Sequence, residues 1–319
     1  MANYSTIEKK ELERLLCAYD VGQVFDYHEL KGGLANSSFK INSDQGSYIL
    51  TICDEKNFDE VRSMVNLLNL LKEKKFPTTR IVKTRKGHDI VEYKKKPVLL
   101  KKYIDGRVAD DLSTGMLLQL GQAVFTLHEI PVPRNLCENF AFGLESFEDV
   151  INADLDHPFP QWLKEKKGYL QYHISEDLPR GLAHGDIFYD NMLYVGGRLK
   201  AIIDFEEACH YYKVFDLGMC ALGCCVENGH ISLDKVRAFV KGYEQGRELE
   251  TEERVQLRLF IEYAAVSTAY WRFRQYNIVY PGKEMANHYI EIQRIADHIH
   301  AVPEDEFKTS VFGTPCLES

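Results

Sequence analysis

One stretch of the chain combines residue types that can handle phosphate and a divalent cation. His184-Gly185-Asp186-Ile187-Phe188-Tyr189-Asp190-Asn191 sets a carboxylate and an amide oxygen five positions apart in a polar loop. Thirteen residues past Asn191, Asp204 follows the apolar run Ile202-Ile203. Between them Met192–Val195 and Leu199–Ile203 read as two short strands joined by a Gly196-Gly197 turn. Such a hairpin would bring Asp186, Asn191 and Asp204 to one end. Magnesium takes hard oxygen ligands and keeps several waters, so a carboxylate, an amide oxygen and phosphate oxygens suffice for it. Phosphoryl transfer needs one further carboxylate to orient an acceptor hydroxyl. A plainer reading makes His184 and Asp186 a cap-and-turn pair and Asp204 a solvated strand end.

The elements that must hold these residues follow from periodicity. Ser5 and Glu8 have capping-box spacing, with Leu12, Leu15, Leu16 and Tyr19 behind them, so a helix is predicted up to about Gly22. Val24–Lys31, Phe39–Ile41 and Tyr48–Ile52 alternate as three antiparallel strands, separated by turns at 31–36 and 44–46. A helix is predicted over Phe58–Lys75, and two more strands around Asp89–Tyr93 and Pro97–Ile104. After Asp105-Gly106 the texture becomes helical, over Met116–Glu129, Phe147–Asp154, Trp162–His173, Leu233–Gln245, Glu252–Gln275 and Glu284–His300. The tail after Pro303 is expected to be poorly ordered.

Composition narrows the partners. The chain has 319 residues, 45% hydrophobic, with a net charge of -9. An acidic protein gains nothing from a phosphate backbone, which argues against nucleic acid and for a small-molecule partner. The longest apolar run, Leu217–Val226, falls well short of a membrane span and reads as a buried helix. No secretory signal opens the chain, so a cytoplasmic protein without a membrane partner is expected. Cys220, Cys224 and Cys225 read as small core residues, since the paired C-x-x-C spacing of a zinc site is absent.

His184, Asp186 and Asn191 resemble the catalytic loop of the protein-kinase-like superfamily, in the His-Gly-Asp form of aminoglycoside phosphotransferases and choline kinases. The resemblance implies an α+β, two-lobed fold: an N-lobe over 1–103 with a small antiparallel sheet and one main helix, binding ATP, and a larger, mostly helical C-lobe over 104–319. It implies that Asp186 is the catalytic aspartate and that Asn191 and Asp204 hold magnesium. His184 and Asp216, the latter in Phe215-Asp216-Leu217, would support the loop. The turn Gly32-Gly33-Leu34-Ala35-Asn36 stands where the superfamily covers ATP's phosphates, which makes Gly32, Gly33 and Asn36 nucleotide candidates. Lys102 and Ile104 would flank the adenine.

One position departs from the superfamily's pattern. Thr51 stands where the third strand carries a lysine, which leaves the usual lysine–glutamate pair, with Glu60 as the acid, in doubt. Leu50-Thr51 is similar to the same strand of homoserine kinases, and other stretches are similar to that family too: the N-terminal helix ending Tyr19-Asp20-Val21-Gly22, the His184–Asn191 loop with Ile203-Asp204-Phe205, and Leu233–Tyr243. That likeness implies homoserine as acceptor, feeding threonine synthesis, with Arg274 for its carboxylate and Glu206 for its ammonium. Other small amino alcohols stay open: choline, hydroxylysine, or an aminoglycoside drawn to Asp105, Asp110, Asp111, Glu206 and Glu207. A nucleotide-binding protein without turnover would also lack the lysine.

Overall fold

The computed structural model describes residues 5–30, 36–282 and 284–313. By backbone contacts the chain divides into two compact units: 1–106 with 201–206, and 107–200 with 207–319. The sequence predicts a boundary after residue 103.

In the first unit, α1 (Lys9–Leu16) precedes β1 (Val24–Leu30), β2 (Asn36–Ser43) and β3 (Gly46–Cys53), then α2 (Phe58–Glu73), β4 (Val91–Tyr93) and β5 (Lys96–Lys102). The sheet runs β1-β2-β3-β5-β4, every neighbour antiparallel. Alternation decides its faces. Phe39, Ile41, Tyr48, Leu50, Ile52, Val98 and Leu100 turn to one side and pack with Leu12 and Leu16 of α1. Fully burying each such aliphatic side chain contributes about 1.5–3 kcal/mol. α2 begins where Asn57 accepts from the Asp59 and Glu60 N–H groups, and buries Val61, Val65, Leu68 and Leu71.

Two expectations here need correction. The first helix opens at Glu8 with Glu11 as its reciprocal partner, not at Ser5. The Ser5 hydroxyl instead donates to Asp54 at 2.6 Å, because a tertiary carboxylate is nearer than the helix N-terminus. The tail is the second: Glu304–Phe312 is a helix that buries Phe307 and Val311. Residues 314–319 lie outside the described residues.

The second unit holds α3 (Thr114–His128), α4 (Glu148–Ile151), α5 (Phe159–His173), β6 (Arg180–Ala183), β7 (Met192–Val195), β8 (Arg198–Ile202), β9 (Cys209–Tyr212), α6 (Lys213–Cys224), β10 (Val226–Glu227) and β11 (His230–Ile231). Four helices follow: α7 (Leu233–Glu244), α8 (Thr251–Phe273), α9 (Tyr289–Ala301) and α10 (Glu304–Phe312). Only the last two residues of β8 count with the first unit. β6 pairs with β9, β7 with β8, and β10 with β11. The α+β expectation therefore holds, with the sheet in the N-terminal unit and helices dominating the other. α6 is buried from Val214 to Cys224, cysteines included. Among the described residues no helix is long and apolar enough to cross a membrane.

Candidate active site

The loop between β6 and β7 carries His184, Asp186 and Asn191, and its shape is set from both sides. β6 leads in, held by β9 through Arg180↔Tyr212 to Ala183↔Cys209. Gly196 and Gly197, both with positive φ (56° and 76°), turn β7 into β8, the conformation a tight hairpin requires and glycine permits. β7 is further fixed because Tyr194 and Arg107 exchange backbone hydrogen bonds at 2.8 and 2.9 Å.

Within the loop the carboxylate and the amide meet. Asn191 Nδ2 donates to Asp186 Oδ2 at 2.9 Å and to its carbonyl at 3.0 Å. This commits the amide nitrogen and turns the amide oxygen the other way. Asn191 is 9% exposed, while Asp186 is half-buried. Gly185 has φ 81°, and a Cβ there would lie 2.7 Å from the Glu207 carbonyl. Both facts call for glycine immediately before the aspartate.

Beneath the loop lies α6, with Asp216 in its first turn, where the helix dipole favours a negative charge. Asp216 is fully buried and accepts from the backbone N–H of His184 at 2.7 Å and of Gly185 at 2.8 Å. The helix approaches so closely at Gly223 that a Cβ would stand 2.4 Å from the Ile187 carbonyl.

One further side chain reaches Asp216, with two more behind it, and the sequence did not single them out. His128, at the end of α3, lies 3.1 Å from Asp216 Oδ2 through Nε2 and 2.9 Å from the Tyr243 hydroxyl through Nδ1. Arg247 donates to that same hydroxyl at 3.2 Å and pairs with buried Glu253 at 2.6 and 2.8 Å. Burial pushes the Tyr243 phenol up to about 12, so it keeps its proton. With Arg247 occupying its oxygen, that proton points to His128 Nδ1. The network thus assigns the His128 proton to Nε2, donating to Asp216. A directed chain runs from Arg247 through Tyr243 and His128 to the carboxylate that holds the loop. No local motif marks His128; only its burial in α3 opposite α7 joins it to the site.

The other candidates fall as follows. Asp204 is exposed, two residues past β8, with φ 66°. A non-glycine residue in that region needs neighbours that fix the backbone. Here Ile202 N–H donates to the Pro77 carbonyl at 3.0 Å, Phe205 meets Phe76 edge-on at 6.1 Å, and Lys56 Nζ reaches the Glu206 carbonyl at 3.0 Å. Glu206 also accepts from Asn36 Nδ2 at 2.5 Å. Gly32 and Gly33 lie outside the described residues. Thr51 is buried in β3, with its hydroxyl 3.4 Å from that of Ser38. Glu60 serves its own helix, accepting from Asn57 N–H at 2.7 Å. Lys102 ends β5, exposed, its N–H on the Arg80 carbonyl at 2.8 Å. Ile104, just beyond, makes no hydrogen bond among the described residues.

Arg274 begins a π-helical turn, Arg274–Val279, that directly continues α8. Its Nε donates to Asp149 Oδ2 at 2.6 Å, and Asp149 Oδ1 takes the Tyr270 hydroxyl at 2.8 Å. The guanidinium is therefore oriented. Its two terminal nitrogens make no hydrogen bond among the described residues.

Residues 26–258 match the family model described as "Phosphotransferase enzyme family" (APH). A homoserine kinase of Parvibaculum lavamentivorans is 28% identical over 261 residues, which cover 79% of this chain and 81% of that protein. Among solved structures, amicoumacin kinase hAmiN in complex with AMP-PNP, Ca2+ and Ami superposes with a TM-score of 0.73 at 15% identity, covering 94% of this chain and 97% of that one. The microcompartment-associated aminopropanol kinase gives 0.70 at 18% identity, over 91% and 95%. These likenesses bear out the kinase fold that the loop motif implied.

Proposed function

This chain belongs to the phosphotransferase enzyme family, and from that premise we propose that it moves the terminal phosphoryl group of ATP to the side-chain hydroxyl of homoserine. The observation that carries the reading is the loop built around Asp186, tied to Asn191 and anchored from below by Asp216. Phosphoryl transfer through a loose transition state asks mainly for positioning and charge. Asp186 would accept the acceptor's hydroxyl proton as a hydrogen bond, aim its oxygen and take the proton as the bond forms. Asn191 holds Asp186 in place through the amide nitrogen.

Asn191 and Asp204 would hold magnesium, which when bound neutralises charge on the phosphates. The donors fit that ion. They are an amide oxygen and an exposed carboxylate, the hard oxygen donors that magnesium takes. Ile104, with its main-chain groups uncommitted among the described residues, suits the adenine edge. For the acceptor, the terminal nitrogens of Arg274 form a fork matched to a carboxylate, and Asp149 and Tyr270 set its plane. Glu206 supplies an acid for the ammonium.

The test is ADP release with magnesium-ATP across homoserine, hydroxylysine, choline, aminopropanol and an aminoglycoside. Turnover with homoserine alone is expected, and Asp186→Ala should abolish it while leaving folding and ATP binding intact. Turnover with another acceptor but not homoserine refutes the substrate. No turnover despite ATP-induced thermal stabilisation would favour the reading prompted by Thr51, a nucleotide binder without catalysis.

A further inference from the structure

In protein kinases a third-strand lysine contacts the nucleotide's phosphates. Here β3 offers the buried hydroxyl of Thr51 instead, and the lysines nearest it stand on other strands. The register shows which side chains share its face. Thr51 pairs with Ser38 and Leu99, and Ile49 with Lys40 and Lys101. Ile49, Thr51 and Cys53 turn away from the core packed on α1, because Tyr48, Leu50 and Ile52 turn towards it. Lys40 and Lys101 therefore flank β3 on the same face as Thr51.

The two lysines differ in what they already touch. The Lys40 ammonium lies 3.8 Å over the Tyr103 ring. Lys101 is half-buried; its backbone pairs with Ile49 and Ile81, and its ammonium makes no hydrogen bond or ion pair among the described residues. An ammonium without a protein partner on this face is available to an anionic group. Its charge is felt further along the strand. Burial pushes the Cys53 thiol up to about 12, and the Lys101 ammonium is the largest influence opposing that rise. Cys53 pairs with Asn36, the first residue of β2, so the Lys101 charge acts on the end of the sheet that these two residues share.

We propose that Lys101, on β5, supplies the cation for the α- and β-phosphates of ATP that Thr51 does not. The proposal rests on the ATP reading above. Its test is calorimetric binding of adenosine, ADP and AMP-PNP, with magnesium, to the full chain and to Lys101→Met and Lys101→Arg. Lys101→Met should weaken AMP-PNP and ADP by about 10- to 100-fold, the loss expected for a charge-assisted contact, with adenosine unchanged. Lys101→Arg should recover most of the loss. Unchanged AMP-PNP affinity in Lys101→Met, or an equal loss for adenosine, overturns the assignment. If the unaltered protein binds adenosine but gains nothing from the phosphates, Lys101 again has no such role. If it binds none of the three, the ATP reading itself falls.

Discussion

Asp216→Asn isolates the contact on which the loop depends, since it changes charge and one donor while keeping shape. The carboxylate accepts three hydrogen bonds: from His184 and Gly185 N–H at 2.7 and 2.8 Å, and from His128 at 3.1 Å. The best placement of the amide puts its oxygen at the Oδ2 position, where two donors converge. Its NH2 then faces the Gly185 N–H, donor against donor. Two charge-assisted bonds fall to neutral strength, a loss of roughly 1 kcal/mol each. One buried N–H is left without an acceptor, which costs about 1–3 kcal/mol more. The sum, about 3–5 kcal/mol, is a large share of the 5–15 kcal/mol typical of a folded domain. Urea denaturation should show this loss. Gly185 directly precedes Asp186, so the displaced peptide should also lower kcat about a hundredfold, the scale of a small misplacement of a reacting group. KM for ATP should move little. A variant that loses under about 1 kcal/mol and keeps its kcat would refute the view that Asp216 positions the loop.

Two further variants probe the surroundings. Tyr243→Phe keeps the ring but removes the hydroxyl between Arg247 and His128, leaving His128 Nδ1 without its donor; it should cost about 1–3 kcal/mol in urea denaturation and lower kcat rather than raise either KM, whereas an unchanged kcat would confine the chain to a structural role. Arg274→Met should raise KM for homoserine about 10- to 100-fold through loss of a charged hydrogen-bond pair, with KM for ATP unchanged; a homoserine KM that does not move would remove Arg274 from the acceptor site.

What the sequence determined by itself was local in origin. The loop from His184 to Asn191 and the hairpin behind it were legible because the carboxylate and the amide stand five positions apart and two glycines make the turn. β2 and α2 were legible because period-two and helical alternation report a single buried face. Where local cues competed with distant groups, tertiary structure decided. Ser5 had a capping neighbour three residues on but found Asp54 instead, 49 residues away. β6 and β9, four residues each, are too short to show a period and exist only by pairing with one another. His128 and Tyr243 lie 88 and 27 residues from Asp216 in the chain, and only the packing of α3, α6 and α7 joins them to it. A residue type at a fixed spacing can announce a chemistry; the distances that make it work come from side chains that sequence order keeps apart.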